Sequence, residues 1–329
     1  MRTVQLGKTG LSSSVLGFGC SAMLGRVGRR DSERALGAAW DAGITFFDTA
    51  RSYGYGESEG LLGEFLQSRR KQAVIATKFG ILAAPQALWK RVAKPAVRAV
   101  LSLAPGARAM VRRRAAGEFT ENQFTVAVLE QSIHESLRKL RTDYVDFLFM
   151  HAAPASVLAQ DDLLLAMEKL VSAGKVRVAG ISADPEVIAA ALEQQPRGLR
   201  AAQFPCNVFD LSAAQAVAAS EERGWAAVAN HPFGGAARVQ TSRSVLQAIA
   251  GSTLTPGDLR EKLGTVNDAV LADVVLNVIV QSPGIHVVVP AMMKPVHLAE
   301  NVKAIAQSRF TPAEIAWLRD AVASGRNAG

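Results

Sequence analysis

Short apolar segments alternate with longer amphipathic segments along most of the chain. The apolar segments are four to eight residues long and rich in β-branched and aromatic residues, as is typical of buried strands. Apolar residues in the longer segments recur at helical spacing. Regular alternation of strands and helices predicts a parallel sheet covered by helices. Because eight strand-like segments are present, we expect an α/β fold of the (β/α)8 TIM-barrel type.

The individual elements follow from this pattern and from turn residues between them. Ahead of the first barrel strand, residues 7–10 predict the turn of a small N-terminal β-hairpin. At the other end of the chain we expect additional C-terminal helices, one of them from Thr311 onward. We expect residues 1–329 to form a single barrel domain. The predicted barrel strands are 15–19, 44–47, 74–77, 145–150, 176–181, 201–204, 225–229 and 285–289, and the predicted helices are 31–41, 57–67, 125–140, 161–172, 185–195 and 212–222.

Ionisable residues stand at the ends of three of these strands. Asp48 follows the second strand, Lys78 the third and His151 the fourth, while Tyr53 lies in the glycine-rich loop after Asp48. Because the carboxyl ends of barrel strands gather at one mouth, we expect these four side chains in one pocket. Each alone has an ordinary explanation as a cap, a surface residue or a packed core residue. Their joint placement at matching positions favours a functional site.

The four residue types fit proton transfer. A phenol titrates near ~10 and is a poor acid at neutral pH. A lysine ammonium beside it favours the phenolate and lowers its pKa, and a carboxylate keeps the lysine charged. Tyr53 can then act as a general acid–base, and a neutral His151 can orient a substrate oxygen. No nucleophile is implied, so another group must supply the electrons.

The same residues lie in segments that resemble the aldo-keto reductases. These segments are 43–50, 77–80 and 142–146, and the resemblance extends from residue 6 to residue 301. It implies a (β/α)8 barrel that transfers a hydride between a nicotinamide cofactor and a small-molecule carbonyl or alcohol substrate, such as an aldehyde, ketone or sugar. It also implies a catalytic tetrad of Asp48, Tyr53, Lys78 and His151.

The resemblance also implies where the cofactor binds. Ser182 and Gln203 would hold the nicotinamide carboxamide, and Glu300 and Asn301 would meet the adenine. Loops after the seventh and eighth strands of barrels often hold phosphate, helped by glycines and helix N-termini. A serine or glutamine at a strand end is otherwise a common cap. The predicted cofactor-binding residues are therefore Ser182, Gln203, Asn230, Phe233, Gly234, Lys294, His297, Glu300 and Asn301.

Several residues depart from the family pattern around the nicotinamide. Many members have Asn where this chain has Ala183, so one amide contact is missing. Asn230 stands where an aromatic residue often stacks on the nicotinamide, and Phe233 is the candidate substitute.

The site of the adenosine 2′-phosphate departs as well. Ala291 and His297 stand where related members have Lys and Arg. Lys294 or His297 would then meet the 2′-phosphate. On this basis we expect NADP(H) to be favoured, with NAD(H) as the alternative.

The positive charge of the chain is local. The formal net charge is +8, and residues 81–117 contain eight basic residues and no acidic ones. We expect a basic insertion at about 81–122, after the third barrel strand. Three interpretations stay open: a solvated insertion, a lid that attracts anions, or a membrane-surface contact. Nucleic-acid binding is not expected, because Trp89 alone interleaves the charges as a stacking aromatic.

The remaining features bound the class of protein. Two cysteines are too few for a disulfide scaffold, the N-terminus lacks an apolar signal core, and no apolar run is long enough to span a bilayer. A cytoplasmic location is expected. Two functions fit: a nicotinamide-dependent carbonyl reductase or alcohol dehydrogenase, and a cofactor-binding regulatory protein on a reductase scaffold. The intact tetrad favours the enzyme.

Overall fold

A sheet of eight parallel strands forms the centre of the computed structural model, which describes residues 1–83, 119–120 and 122–324. Two short antiparallel pairs lie beside it: Thr3–Gln5 (β1) with Ser12–Ser14 (β2), and Leu82–Ala83 (β6) with Phe119–Thr120 (β7). The sheet strands are Gly17–Gly19 (β3), Phe46–Asp48 (β4), Val74–Phe79 (β5), Val145–His151 (β8), Val176–Ser182 (β9), Leu199–Pro205 (β10), Ala226–Asn230 (β11) and Val287–Val289 (β12).

The sheet closes on itself. Strands pair in chain order from β3 to β12, and a parallel bridge between Leu16 and Val288 joins the two edges. The Val288 amide donates to the Val15 carbonyl at 2.9 Å. The predicted TIM barrel and the N-terminal hairpin are therefore confirmed.

Helices cover the outside of the barrel. All six helices predicted for residues 31–222 are present, although the last is shorter and ends in a 3-10 turn at Glu221–Arg223. The helices are Arg29–Asp41 (α1), Ser58–Leu66 (α2), Val126–Leu140 (α3), Asp161–Ser172 (α4), Pro185–Gln194 (α5), Ser212–Ala218 (α6), Gly235–Gly251 (α7), Gly257–Leu263 (α8), Asp268–Val280 (α9), Pro295–Ala306 (α10) and Pro312–Ala323 (α11).

Four helices, α7 to α10, were not placed by the sequence pattern. Helix α9 shows why, because Val270 to Ile279 are all buried and only Asp273 and Asn277 among them are polar. A helix that is buried on every side lacks the wide polar face from which an amphipathic helix is recognised. Helix α11, predicted from Thr311 onward, begins at Pro312 after a Thr311 capping box.

The barrel interior is a packed core at its lower end and polar at its mouth. Strand side chains alternate between the interior and the surrounding helices. Interior positions include Phe46, Val74 and Phe147, and Leu6 and Leu11 of the hairpin close the lower end. Two residues further along β4, and four further along β5 and β8, the same interior face presents Asp48, Lys78 and His151 at the mouth.

The predicted insertion at 81–122 falls almost wholly outside the described residues, and its three interpretations fall there too. Its two ends lie together, because Leu82 pairs with Thr120 and Ala83 with Phe119. The Gln123 amide also donates to the Gly80 carbonyl at 3.0 Å. Among the residues described, no helix combines the length and apolarity that a membrane crossing requires.

Candidate active site

Three of the four tetrad residues are placed by strand alternation. Asp48 follows Phe46 by two positions and is the last residue of β4, and His151 is the last residue of β8. Lys78 follows Val74 and Ala76 on the interior face of β5. The prediction placed Lys78 just after its strand, but β5 continues to Phe79. Pairing of Lys78 and Phe79 with β8 extends the strand there.

Tyr53 reaches the same mouth from the loop after β4. It begins a 3-10 turn, Tyr53–Gly56, and its amide donates to the Ala50 carbonyl at 3.1 Å. Gly54 has a φ of +60°, and a Cβ there would lie 2.6 Å from the Met23 carbonyl oxygen. Only glycine readily adopts the positive φ and also has no Cβ to clash with this oxygen, so Gly54 fixes the direction in which Tyr53 enters the pocket.

A hydrogen-bonded chain joins the tetrad to the neighbouring strands. The Lys78 Nζ donates to Asp48 Oδ1 at 2.7 Å and to the Thr49 carbonyl at 2.9 Å, and lies 3.4 Å from the Tyr53 hydroxyl. Gln203 Nε2 donates to the same Asp48 oxygen at 2.8 Å. The Ser182 hydroxyl donates to Gln203 Oε1 at 2.9 Å. The predicted residues Ser182 and Gln203 are therefore part of one network with the tetrad.

Burial and charge oppose each other in this network. Burial lowers the pKa of Lys78, but Asp48 and the Tyr53 hydroxyl outweigh it, so the pKa lies above its ordinary value. Burial raises the pKa of Tyr53 above its ordinary value, and Lys78 opposes that rise without reversing it. The predicted lowering of the phenol pKa is wrong as a net result. Lys78 does act in the expected direction.

His151 faces the phenol. The two rings meet edge to face, with centroids 5.8 Å apart and planes at 81°. Burial, together with the charge of Lys78, lowers the pKa of His151 to about 3, so the imidazole is neutral at physiological pH. Its buried Nδ1 has no hydrogen-bond partner among the described residues. A neutral imidazole carries one N–H group, which can donate a hydrogen bond to a substrate oxygen.

Three of the tetrad residues, Tyr53, Lys78 and His151, line a cavity of about 360 Å³. The remaining walls come from the ends of β9, β10 and β11 and the residues just after β8. They include Ser182, Gln203, Asn230 and His231.

A second cavity of about 300 Å³ lies between α7, α9 and α10. Four predicted cofactor residues line it, namely Phe233, His297, Glu300 and Asn301. Gly235 also lines it, whereas Gly234 and Lys294 are not among its described lining residues. Contacts of Gly234 and Lys294 with a cofactor therefore stay predictions.

The two cavities fit a dinucleotide. One presents the buried Ser182 and Gln203 beside the tetrad, and the other presents the buried side chain of Asn301. The loop after β11 contributes to both, through Asn230 and Phe233. Residues 230–233 therefore border both cavities.

Several lining residues were not identified as site residues from the sequence, among them the ionisable residues His231 and Asp268. His231 lines the first cavity, and Asp268 lines the second. Asp268 begins α9, one of the helices that the pattern did not reveal. For His231 a signal existed, because it follows a predicted barrel strand directly.

The sequence matches the model of the Aldo/keto reductase family over residues 15–323. The chain belongs to the aldo/keto reductase family, a family of oxidoreductases. It is 30% identical to L-galactose dehydrogenase of Arabidopsis thaliana over 203 residues, covering 59% of this chain and 52% of that protein. It is 33% identical to D-threo-aldose 1-dehydrogenase of a Pseudomonas species over 194 residues, covering 52% and 50%.

A shorter region is 46% identical to pyridoxal 4-dehydrogenase of Microbacterium luteolum over 80 residues, or 23% of each chain. The chain thus spans about half the length of two of these relatives and about a quarter of the third.

Solved structures show the same fold. An aldo-keto reductase from Bacillus halodurans in its holo form superimposes with a TM-score of 0.70 at 22% identity, covering 100% of this chain and 97% of that one. An aldo/keto reductase from Klebsiella pneumoniae in complex with NADP and acetate gives a TM-score of 0.66 at 20% identity, covering 98% and 95%.

Proposed function

We propose that this protein catalyses hydride transfer between a nicotinamide dinucleotide and a small carbonyl or alcohol substrate. One observation carries the proposal: a buried chain of hydrogen bonds runs from Gln203 through Asp48 and Lys78 to the Tyr53 hydroxyl. That hydroxyl borders the first cavity. A proton donor held by a buried ammonium and aimed into a cavity suits the protonation of a carbonyl oxygen.

Each residue has a stated part in this reaction. A bound nicotinamide supplies or accepts the hydride. Ser182 and Gln203, which line the same cavity as Tyr53, would hold its carboxamide. During reduction Tyr53 donates its proton to the carbonyl oxygen, and during oxidation the phenolate accepts the proton of the alcohol. Lys78 stabilises that phenolate, Asp48 keeps Lys78 charged, and His151 orients the substrate oxygen.

The names of the relatives agree with a carbonyl or alcohol substrate. Two are dehydrogenases named for sugars, and the third is named for pyridoxal. Aldehydes, ketones and sugars are therefore the first substrates to test.

The decisive experiment follows a labelled hydrogen. The purified protein is incubated with an aldehyde and with NADH or NADPH that carries deuterium at nicotinamide C4. We expect deuterium on the former carbonyl carbon of the alcohol product, detected by mass spectrometry. Tight binding of the cofactor without any transfer to a panel of aldehydes, ketones and sugars would instead identify a regulatory protein on a reductase scaffold.

The cavity lining bears on the choice of cofactor. The sequence favours NADP(H) through Lys294 and His297, but the described residues that line the second cavity include the carboxylates Asp268 and Glu300 and no Lys or Arg. Arg243 forms an ion pair with Asp268, so these two charges largely offset each other, while Glu300 has no ion-pair partner among the described residues. A carboxylate such as Glu300 accepts a hydrogen bond from a ribose 2′-hydroxyl and repels a 2′-phosphate. We therefore propose that NAD(H) binds more tightly than NADP(H), which reverses the preference drawn from the sequence.

A further inference from the structure

A second histidine lies at the mouth beside the tetrad. His231 directly follows β11 and lines the first cavity together with Tyr53 and His151. It is exposed, and its φ is +51° in a left-handed conformation. Strained backbone of this kind is concentrated at binding and catalytic sites, where the surrounding structure enforces it. None of the steps proposed above uses this residue.

The hydrogen bonding of His231 fixes the role of each ring nitrogen. Its Nδ1 lies 2.9 Å from the Asn230 Oδ1, which can only accept a hydrogen bond, so Nδ1 carries the proton. Partial loss of solvation at the mouth lowers the pKa of His231, and Asp48 only partly opposes this. The ring is therefore neutral near pH 7, and Nε2 is a hydrogen-bond acceptor.

No side chain among the described residues of the cavity donates a hydrogen bond to His231 Nε2. Ala152, Ala153, Pro154 and Val187 line the wall with apolar groups. Asp184 adds a carboxylate, which accepts hydrogen bonds, and it caps no amide of the helix that follows it. The Asn230 amide nitrogen is a donor on the same wall. A ligand hydroxyl can both donate to His231 or Asp184 and accept from Asn230, so it suits this mixed wall.

We infer that His231 Nε2 accepts a hydrogen bond from a substrate hydroxyl group, and that this contact makes the enzyme prefer hydroxylated aldehydes over their deoxy counterparts. The inference rests on the proposed function and assigns a substrate feature to the same site. His231 is then a specificity-determining residue, and the proton transfer stays with Tyr53.

The test compares two aldehydes of equal size. Glycolaldehyde and propanal differ by a hydroxyl in place of a methyl group. The ratio of their kcat/KM values is measured for the unaltered protein, for His231→Gly and for His231→Gln. Glycine suits the positive φ and removes the acceptor, whereas glutamine keeps an acceptor oxygen and adopts a similar φ at Gln195. We expect His231→Gly to lower the ratio about fivefold, as the loss of one hydrogen bond predicts, and His231→Gln to restore part of it.

Using a ratio separates specificity from general damage to the site. General disorder of the cavity mouth lowers kcat/KM for both aldehydes by the same factor and leaves their ratio unchanged. An unchanged ratio in His231→Gly would overturn the inference. Failure of His231→Gln to recover any of the ratio would also count against it. If the unaltered protein transfers no deuterium to either aldehyde, the proposed function itself is at fault, which is a distinct result.

Discussion

At the scale of single residues, the Tyr53 phenol experiences two opposing effects. Burial disfavours the phenolate, and the Lys78 ammonium favours it. Burial is the stronger effect in the protein without ligand, so the phenol is protonated at neutral pH. That state is the one that the proposed reduction requires, in which Tyr53 gives a proton to the carbonyl oxygen.

The clearest residue-scale prediction concerns Tyr53→Phe. The substitution keeps the ring and its edge-to-face contact with His151 but removes the hydroxyl beside Lys78. Loss of a general acid lowers rates by about 10²–10⁴-fold, so kcat should fall by that order. Cofactor affinity, measured by fluorescence titration, should be nearly unchanged. Near-normal turnover by this variant would show that Tyr53 is not the general acid.

His151 should make the protein sensitive to acid. Its pKa in the folded protein is about 3, well below the unfolded value of 6.5. As pH falls below the unfolded value, the unfolded chain takes up a proton that the folded protein does not, so stability is lost through the window from about 6.5 to about 3. The neutral variant His151→Gln lacks this titration.

We therefore expect the unfolding free energy of the unaltered protein to fall relative to that of His151→Gln between pH 7.5 and about pH 4.5. Urea denaturation at several pH values measures the difference. If the difference does not depend on pH, the proposed state of His151 is incorrect.

At the scale of elements, strand alternation explains what could be predicted. Once β4, β5 and β8 are recognised, the two-residue period carries Phe46 to Asp48 and Phe149 to His151 on the interior face. The position of Tyr53 required more, because it depends on a turn whose shape is set by Gly54. Helix α9 could not be recognised from a pattern, since burial on all sides removes the polar stripe.

Asp146 gives a test of how the elements are held together. Its Oδ2 accepts from the Ile75 amide and from Arg70, both at 2.9 Å, and its side chain is 2% exposed. It thereby links β8 to the start of β5. Asp146→Ala leaves a buried amide and a largely buried guanidinium without this partner, so we expect a loss of about 3–5 kcal/mol in unfolding free energy.

Arg177→Ala is the matched control for this substitution. Arg177 pairs with the other oxygen of the same carboxylate at 3.3 Å, but its side chain is 51% exposed. Exposed pairs contribute about 0–1 kcal/mol, so this variant should be little affected. Urea denaturation measures the unfolding free energy of both variants. Equal losses of unfolding free energy in Asp146→Ala and Arg177→Ala would contradict the claim that burial makes the Asp146 contacts stabilising.

At the scale of the whole molecule, the two cavities limit what sequence alone could reveal. The candidates Glu300 and Asn301 follow from the family resemblance, and both line the second cavity. Asp268 comes from a helix more than twenty residues earlier in the chain, and only the fold brings the two helices together. The charge of a cavity is a sum over such distant residues, which is why Lys294 and His297 alone do not decide the cofactor preference.

The last prediction isolates the half of the cofactor that meets this second cavity. ADP-ribose and its 2′-phosphorylated form lack the nicotinamide, so their affinities report on Asp268 and Glu300 without the tetrad. We expect ADP-ribose to bind more tightly, by on the order of tenfold in Kd measured by calorimetry. Asp268→Asn should narrow the gap, because it removes one negative charge and releases Arg243 from its ion pair. Gln203→Ala serves as the control, since it should weaken NADH and leave ADP-ribose unchanged. Tighter binding of the 2′-phosphorylated form to the unaltered protein would restore the preference for NADP(H), with Lys294→Ala then expected to weaken it.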